Sequence, residues 1–215
     1  MFIFKQYYLF ILVLVLTACS DEEKVFLNTE NFLPQNSNKL EYVFNFSKDT
    51  YLDSGKYITT ISKKVDNCLE FKDKLILNNN KIANPASYKI CLLNGNLIAK
   101  TINEEFMLIS KSTSWKSKLF SYYPLPKNKI FMQKCKKTKT YKEKILNRSL
   151  DILEIECKYS NNTDTEITNI YKYASTMGMI EKTEIVSGVE IFNLKLDSIN
   201  ELQSKAFPQP KNIFR

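Results

Sequence analysis

Few side chains in this 215-residue chain could do chemistry, and the types present restrict what that chemistry could be. The chain has five cysteines and no histidine. Imidazole is the usual base at neutral pH and a common metal ligand, so its absence argues against ordinary serine and cysteine triads and against most zinc enzymes. The 4 glycines form no phosphate-binding loop motif. These absences favour a binding role over catalysis, and we predict no cofactor and no metal site.

Carboxylate chemistry remains open. Glu154 and Glu156 share one face of a predicted strand, and Glu104 and Glu105 lie near a predicted turn. A glycoside hydrolase needs two carboxylates about 5 to 9 Å apart, which neighbouring strands can supply. Charged positions on a solvent-facing strand explain the same residues. A carboxylate-dependent hydrolase is therefore the third functional hypothesis, with no catalytic residue assigned.

Four of the cysteines lie in the body of the chain, at Cys68, Cys91, Cys135 and Cys157. An even number of cysteines in an exported chain indicates disulfides. Of the three pairings, we favour neighbours, Cys68 with Cys91 and Cys135 with Cys157, because shorter loops cost less entropy to close. A four-cysteine zinc site is the rival, but the Cys-x-x-Cys spacing is absent. Free buried thiols are the third alternative.

A run of lysines between residues 134 and 144 is the most charged segment of the chain. It could bind an anion, such as a lipid head group or a cell-wall polymer, with about 1 kcal/mol per cation near an anionic surface. The alternative is a solvated hairpin whose lysines deter edge-to-edge aggregation. The anion-binding candidates are Lys134, Lys136, Lys137, Lys139, Lys142 and Lys144.

The N-terminus has the layout of a secretory signal. Lys5 precedes an apolar stretch over residues 7–16, and small residues follow at Thr17 and Ala18. A membrane-spanning helix needs about 20 apolar residues, and this run ends earlier, before the polar residues 20–23. We predict a signal peptide over residues 1–18.

Leu16, Thr17, Ala18 and Cys19 resemble the lipobox of bacterial lipoproteins. The resemblance implies that the Cys19 thiol receives a diacylglycerol, that the chain is cut before Cys19, and that the new amine is acylated. More than one acyl chain is needed for stable anchoring, and this modification supplies it. Ser20 rather than aspartate after the cysteine implies, by the same resemblance, the outer membrane of a Gram-negative cell.

Composition indicates one ordinary globular domain behind the anchor. Cleavage after residue 18 leaves 197 of 215 residues and lowers the formal charge from +8 to +7, because Lys5 is the one charged residue removed. Hydrophobic residues make up 44% of the chain and charged residues 25%, which is typical of folded proteins. We predict a lipidated tether over residues 19–38 and a β-rich domain over residues 39–215. An exported protein rarely meets nucleic acid, so none is expected as a partner.

Short segments of alternating polarity predict a mostly β fold. Residues 40–46 and 151–157 alternate with a period of two, and Asn94-Gly95 is a strong hairpin signal because both residues tolerate positive φ. Such segments recur every 8 to 12 residues without a long helical period. We predict a single antiparallel sheet, curved into a half-barrel or sandwich, with at most one or two short helices; the best helix candidate is residues 198–206.

The last third of the chain resembles the C-terminal part of certain secreted bacterial β-proteins and lipoproteins. The resemblance implies that the glycine makes a turn and that the other residues pair strands. The residues that carry it are Tyr171, Tyr173, Ala174, Gly178, Met179, Ile180 and residues 194–196.

The leading hypothesis is a membrane-anchored envelope lipoprotein that acts as a binding or assembly module. Its expected contacts are the membrane, through lipid on Cys19, and an envelope protein, anionic lipid or cell-wall polymer. The expected location is the outer membrane, facing the periplasm or the cell surface. The alternative is a periplasm-facing carrier of an apolar ligand such as a lipid, as in half-open barrels of the lipoprotein-carrier type.

Overall fold

The computed structural model describes residues 28–35, 38–46, 54–77, 82–119, 131–160 and 165–201. Within them lie one short 3-10 helix, Thr29–Phe32, and twelve β-strands. The strands are β1 Asn38–Phe46, β2 Ser54–Val65, β3 Cys68–Leu77, β4 Ile82–Leu93, β5 Asn96–Lys100, β6 Glu105–Ile109, β7 Ser114–Lys118, β8 Met132–Ile145, β9 Arg148–Ser160, β10 Glu166–Ala174, β11 Gly178–Val186 and β12 Val189–Glu201.

All twelve strands belong to one antiparallel sheet that curves almost into a closed barrel. Strands adjacent in sequence pair with each other, and β1 also pairs with β12, so the ladder runs unbroken from β6 through β1 and β12 to β7. Residues alternate along strands such as β5 and the first part of β8 between the buried interior and the more exposed outer face. The predicted mostly β antiparallel fold is confirmed.

Strands β6 and β7 meet at a seam that side chains bridge. The Trp115 indole Nε1 donates a hydrogen bond to the Met107 carbonyl at 3.3 Å, and the Met107 N–H donates to the Ser117 hydroxyl at 3.0 Å. Lys118 and Glu104 form an ion pair across the same seam at 3.5 Å. These contacts satisfy polar groups that an open sheet edge leaves exposed.

The antiparallel order assigns each connection to one of two ends of the barrel. At the end where β1 begins and β12 finishes, which we call the proximal end, lie residues 66–67, 94–95, 110–113, 146–147 and 175–177. At the opposite, distal end lie residues 101–104 and 187–188, together with the described chain ends at residues 46, 54, 77, 82, 119, 131, 160 and 165. Asn94 and Gly95 have φ of 51° and 77°, as the hairpin prediction requires.

Residues 28–35, which we call the plug segment, enter the barrel at the proximal end. Phe32 is 1% exposed and packs in the interior with Leu97 and Ile109. The Thr176 N–H donates to the Asn31 carbonyl at 2.7 Å, which holds the segment against the β10–β11 turn. The predicted tether over residues 19–38 therefore contains a stretch that belongs to the folded core.

The two disulfides join adjacent strands in opposite halves of the sheet. Cys68 bonds Cys91 between β3 and β4, and Cys135 bonds Cys157 between β8 and β9. Each pair lies directly opposite in register. The pairing of sequence neighbours is the one favoured above, and it follows from the meander, in which neighbouring cysteines fall on neighbouring strands.

The helix predicted over residues 198–206 is wrong where the structure describes it. Residues 198–201 continue β12 and pair with β1, with Ser198 opposite Glu41 and Glu201 opposite Asn38. Residues 202–206 lie outside the described part. Sheet pairing overrides helix propensity here because β1 needs a partner along its full length. Among the described residues, no helix has the length and apolar character that crossing a bilayer requires.

The resemblance over the last third of the chain is matched by the local geometry. Gly178 has φ of +88° at the start of β11, and Tyr173 and Ala174 pair with Met179 and Gly178. A Cβ added at Gly178 would lie 3.0 Å from the Pro34 Cγ atom. The glycine therefore serves both the turn and the close approach of the plug segment.

We expect Gly178→Ala to destabilise the fold more than Gly188→Ala, as measured by urea unfolding. Both glycines have positive φ, which costs an alanine about 1 kcal/mol or more. At Gly188, however, nothing lies within 4 Å of an added Cβ, whereas at Gly178 the methyl meets Pro34. Equal losses of unfolding free energy in the two variants would contradict the packing of the plug segment against the β10–β11 turn.

Candidate functional site

The lysine run forms β8, and most of its lysines are exposed and face acids on the neighbouring strand β9. Lys136 pairs with Glu156 at 3.1 Å and Lys139 with Glu154 at 3.2 Å. Lys142 lies 3.8 Å from Asp151. This ladder of opposite charges compensates the middle of the run, and exposed Lys134 and Lys144 flank it.

Lys137 does not belong to that exposed face. Its side chain is 8% exposed, because the alternation of β8 places it with Gln133 and Cys135 on the buried side. Burial lowers the pKa of the Lys137 ammonium group. Its inclusion among the surface anion-binding candidates is therefore corrected.

The candidate carboxylates are each bound to a lysine. Glu154 contacts Lys139, and Glu154 also accepts a hydrogen bond from the Thr138 hydroxyl at 3.1 Å. Glu105 pairs with Lys100 at 2.6 Å. Glu104 pairs with Lys118 across the seam at 3.5 Å. The strand register thus sets these carboxylates against cations, which suits a solvated strand face better than acid–base catalysis.

The interior holds an acid that sequence reasoning missed. Asp73 is 3% exposed and accepts hydrogen bonds from the Tyr57 hydroxyl and, at 2.8 Å, from the Thr59 hydroxyl. Tyr88 also bonds to it. Burial raises the pKa of Asp73 to about 6, against the opposing effect of these hydroxyl donors. The available signal was the spacing of Leu69, Phe71 and Asp73 on one strand face.

A buried base lies elsewhere in the same interior. The Lys182 ammonium lies 3.4 Å from a Glu184 carboxylate oxygen, and 5.5 Å and 5.9 Å from the ring centres of Phe192 and Tyr171. Burial lowers the pKa of Lys182, while Glu184 acts in the opposite direction. Ion pairing and the two ring faces together replace the water that a buried ammonium loses.

Two buried amides complete the polar part of the interior. Within the described part of the chain, Oε1 of Gln133 has no hydrogen-bond partner, and the Asn169 amide has the Tyr159 hydroxyl as its neighbour. Asn169 is fully buried and Gln133 is 4% exposed. Ordered water is the expected partner for such groups.

A small cavity lies between the plug segment and the tyrosines around Asp73. Its volume is about 30 Å³, enough for about two water molecules. Phe32 and Pro34 form one side, and Tyr57, Thr59, Phe71 and Tyr88 form another. Around this cavity, side chains of the described strands pack into two apolar clusters.

The exposed large apolar side chains of the described region are concentrated at the distal end. Ile102 is 99% exposed, Val189 62% and Met132 56%, and all three lie at or next to distal connections. The fourth, Leu146, is 41% exposed and lies at the proximal end. The two ends of the barrel therefore differ in the surface that they offer to other molecules.

The predicted lipidation site, Cys19, and the signal peptide lie outside the described residues. In the part of the chain that the structure covers, no group of three or more histidine, cysteine, aspartate or glutamate side chains could hold a metal ion.

No known protein family's sequence profile matches this chain. No curated protein sequence matches it either.

Several solved structures have a related backbone. An exported protein with a YmcC-like fold from Bacteroides fragilis is 8% identical, with a TM-score of 0.49 over 79% of this chain and 98% of that one. A protein described as a lipoprotein from Parabacteroides distasonis is 9% identical, with the same TM-score and coverages. A β-barrel-like protein with a domain of unknown function from Brucella abortus is 7% identical, with a TM-score of 0.45 over 80% of this chain and 100% of its own. At this level of similarity, nothing about activity carries over to the present chain.

We expect Asp73→Asn to gain stability relative to the wild type as the pH rises from about 4 to about 7. With the pKa of Asp73 raised to about 6, the folded state holds a proton that the unfolded chain releases near pH 4. The protonated carboxyl of Asp73 therefore contributes up to roughly 3 kcal/mol to the free energy of unfolding at low pH. This contribution is lost as the pH rises through about 6. The neutral amide of the variant does not undergo this loss.

Urea unfolding of both proteins across that pH range measures the difference. Asp66→Asn, at an exposed turn, is the matched acid-to-amide control and must follow the wild type. A constant difference between Asp73→Asn and the wild type at every pH would contradict the assignment.

Proposed function

We propose that this protein is a lipid-anchored component of the bacterial cell envelope that binds a partner protein through the distal end of its barrel. The observation that carries the proposal is the concentration of exposed Ile102, Met132 and Val189 at that end. Exposed apolar groups rimmed by polar residues are typical of interaction sites. The seam ion pair of Lys118 and Glu104 supplies polar groups beside Ile102.

The anchor supports this orientation. Cys19 lies nine residues before Asn28, where the described chain begins, and the plug segment is seated at the proximal end. A lipid on Cys19 would therefore hold the proximal end toward the bilayer and turn the distal end away from it. The finer assignment to the outer membrane follows from Ser20 and the lipobox resemblance.

Binding fits the site better than catalysis. The candidate carboxylates are neutralised by lysines, and the chain lacks histidine altogether. The buried polar groups Asp73 and Lys182 are held by neighbouring hydroxyl, carboxylate and aromatic groups within the core. Such contacts stabilise one arrangement of the barrel interior.

A carrier of an apolar ligand remains the second candidate, because the cavity beside Phe32 has aromatic and aliphatic walls. At about 30 Å³, however, the cavity would have to expand by release of the plug segment before it could hold a lipid chain. Solvent extraction of the purified protein followed by mass spectrometry distinguishes the two: a stoichiometric, non-covalent lipid would favour the carrier.

We expect cells grown with labelled palmitate to label the wild-type protein and not the Cys19→Ala variant. The lipobox makes Cys19 the acylated residue, and alanine has no thiol to accept the lipid. Label on the protein is measured after immunoprecipitation, with Cys68→Ala as the control that removes a cysteine elsewhere. Equal labelling of wild type and Cys19→Ala would refute the anchor.

We expect a photo-crosslinking residue at Ile102 or Val189 to give a defined adduct in intact cells, and the same residue at Lys72 to give none. Lys72 is exposed on the outer wall of β3, between the two ends. Mass spectrometry identifies the adduct. Its yield must fall when the other of the two distal positions is changed to serine. Adducts of equal yield from the wall position would contradict a distal binding surface.

A further inference from the structure

The β8–β9 hairpin continues at the proximal end beyond its pairing with β7 and β10, while Ile145 and Leu150 beside its tip pack against the core. β8 pairs with β7 only as far as Lys136, opposite Ser114, and β9 pairs with β10 only as far as Ile152, opposite Ala174. Asp151 still bonds to Ser175 through both its N–H and its carbonyl. Residues 148–150 continue past that point, which at about 3.3 Å per residue amounts to about 10 Å of strand.

The tip of this hairpin carries a leucine at a position whose backbone conformation favours asparagine or glycine. Leu146 and Asn147 have φ of 44° and 66°, a conformation in which asparagine and glycine are preferred. The β4–β5 turn at the same end uses Asn94 and Gly95. A leucine with positive φ is strained, and Leu146 nevertheless keeps 41% of its surface exposed.

Cations surround the leucine. Lys142, Lys144 and Arg148 are exposed on the two arms, Glu143 is exposed near the tip, and Asp151 lies 3.8 Å from Lys142. An apolar group at the tip with basic residues on its flanks is the arrangement that enters the boundary between head groups and acyl chains. Each cation close to an anionic leaflet adds about five-fold to the partition coefficient.

The position of the hairpin relative to the anchor makes this contact geometrically accessible. The hairpin lies at the proximal end, where the plug segment enters. Residues 19–27 can span at most about 30 Å when fully extended. A lipid on Cys19 therefore keeps the proximal end close to the bilayer surface.

We propose that the β8–β9 hairpin is a second membrane contact, with Leu146 at the acyl boundary and Lys144 and Arg148 at the phosphates of anionic phospholipids. The proposal rests on the anchored orientation proposed above. It gives the protein two attachment points on the bilayer, and these fix the direction in which the distal end faces.

The test uses the full-length protein with tryptophan introduced at Leu146, in vesicles of phosphatidylglycerol and phosphatidylcholine with brominated acyl chains. We expect the Leu146→Trp fluorescence to shift to shorter wavelength and to be quenched, after subtraction of the signal of buried Trp115. Val189→Trp, an exposed position on the distal β11–β12 hairpin, is the matched control and should be neither shifted nor quenched. Adding Lys144→Gln and Arg148→Gln should lower partitioning of the hairpin by about 30-fold.

Absence of quenching in the Leu146→Trp variant, or equal quenching at Val189→Trp, would overturn the proposal. Intact mass reports acylation of Cys19 separately. The uncleaved apolar N-terminus also brings an unacylated chain to the vesicle, so quenching reports on the hairpin whether or not the anchor forms.

A second measurement separates membrane contact from folding. Leu146→Gly relieves the positive-φ strain, so its urea midpoint should equal or exceed that of the wild type. Vesicles should nevertheless protect the amides of residues 142–148 from hydrogen exchange in the wild type and not in Leu146→Gly. Equal protection in the two proteins, or none in the wild type, would count against membrane insertion of this leucine.

Discussion

Bridging of the gap between the two outermost strands, β6 and β7, is the constraint on which the rest of this structure depends. A meander of twelve strands leaves β6 and β7 with unpaired backbone groups unless the sheet curves until they meet. Here the indole of Trp115 and the hydroxyl of Ser117 bond to the backbone of Met107 and bridge that gap. Once the wall is closed in this way, the interior must be filled and the ends must be covered.

The chain fills the interior partly with its own N-terminal part. Phe32 occupies space that the strands alone leave open, and the hydrogen bond from Thr176 to Asn31 positions it. Polar side chains line other parts of the interior, where Asp73 and Lys182 each have bonded neighbours. Among the described residues, the interior therefore combines apolar packing with a few buried polar groups that have neighbouring partners.

Local sequence signals predicted much of this fold, and long-range contacts account for what they missed. The Asn94-Gly95 turn and the alternation around Leu153 and Ile155 are encoded by neighbours in the sequence, and so were predictable. The strand at residues 198–201 was not, because β1 pairs with it from the other end of the chain. Lys137 could have been placed inside by counting alternate positions from Cys135, but the charge of the run obscured the pattern.

The candidate sites also divide into those that local sequence signals predict and those that depend on long-range contacts. The cysteine pairs followed from sequence proximity, whereas the burial of Asp73 depends on Tyr57 and Tyr88 from two flanking strands. The presence of Ile102, Met132 and Val189 at the same end can be seen only from the strand order, since these residues are far apart in the sequence. The sequence shows that these residues are apolar. The end of the barrel at which they lie can be stated only once the strand order is known.

Seating of the plug segment also determines how the barrel responds to mechanical load. A pull on the chain ahead of the plug segment would act first on the hydrogen bonds at Thr176 and next on β1, which follows that segment. The junction of β1 with β12 joins the two ends of the meander, whereas covalent bonds brace β3 to β4 and β8 to β9. Tension would therefore open the barrel along that junction, between the two halves that the disulfides brace.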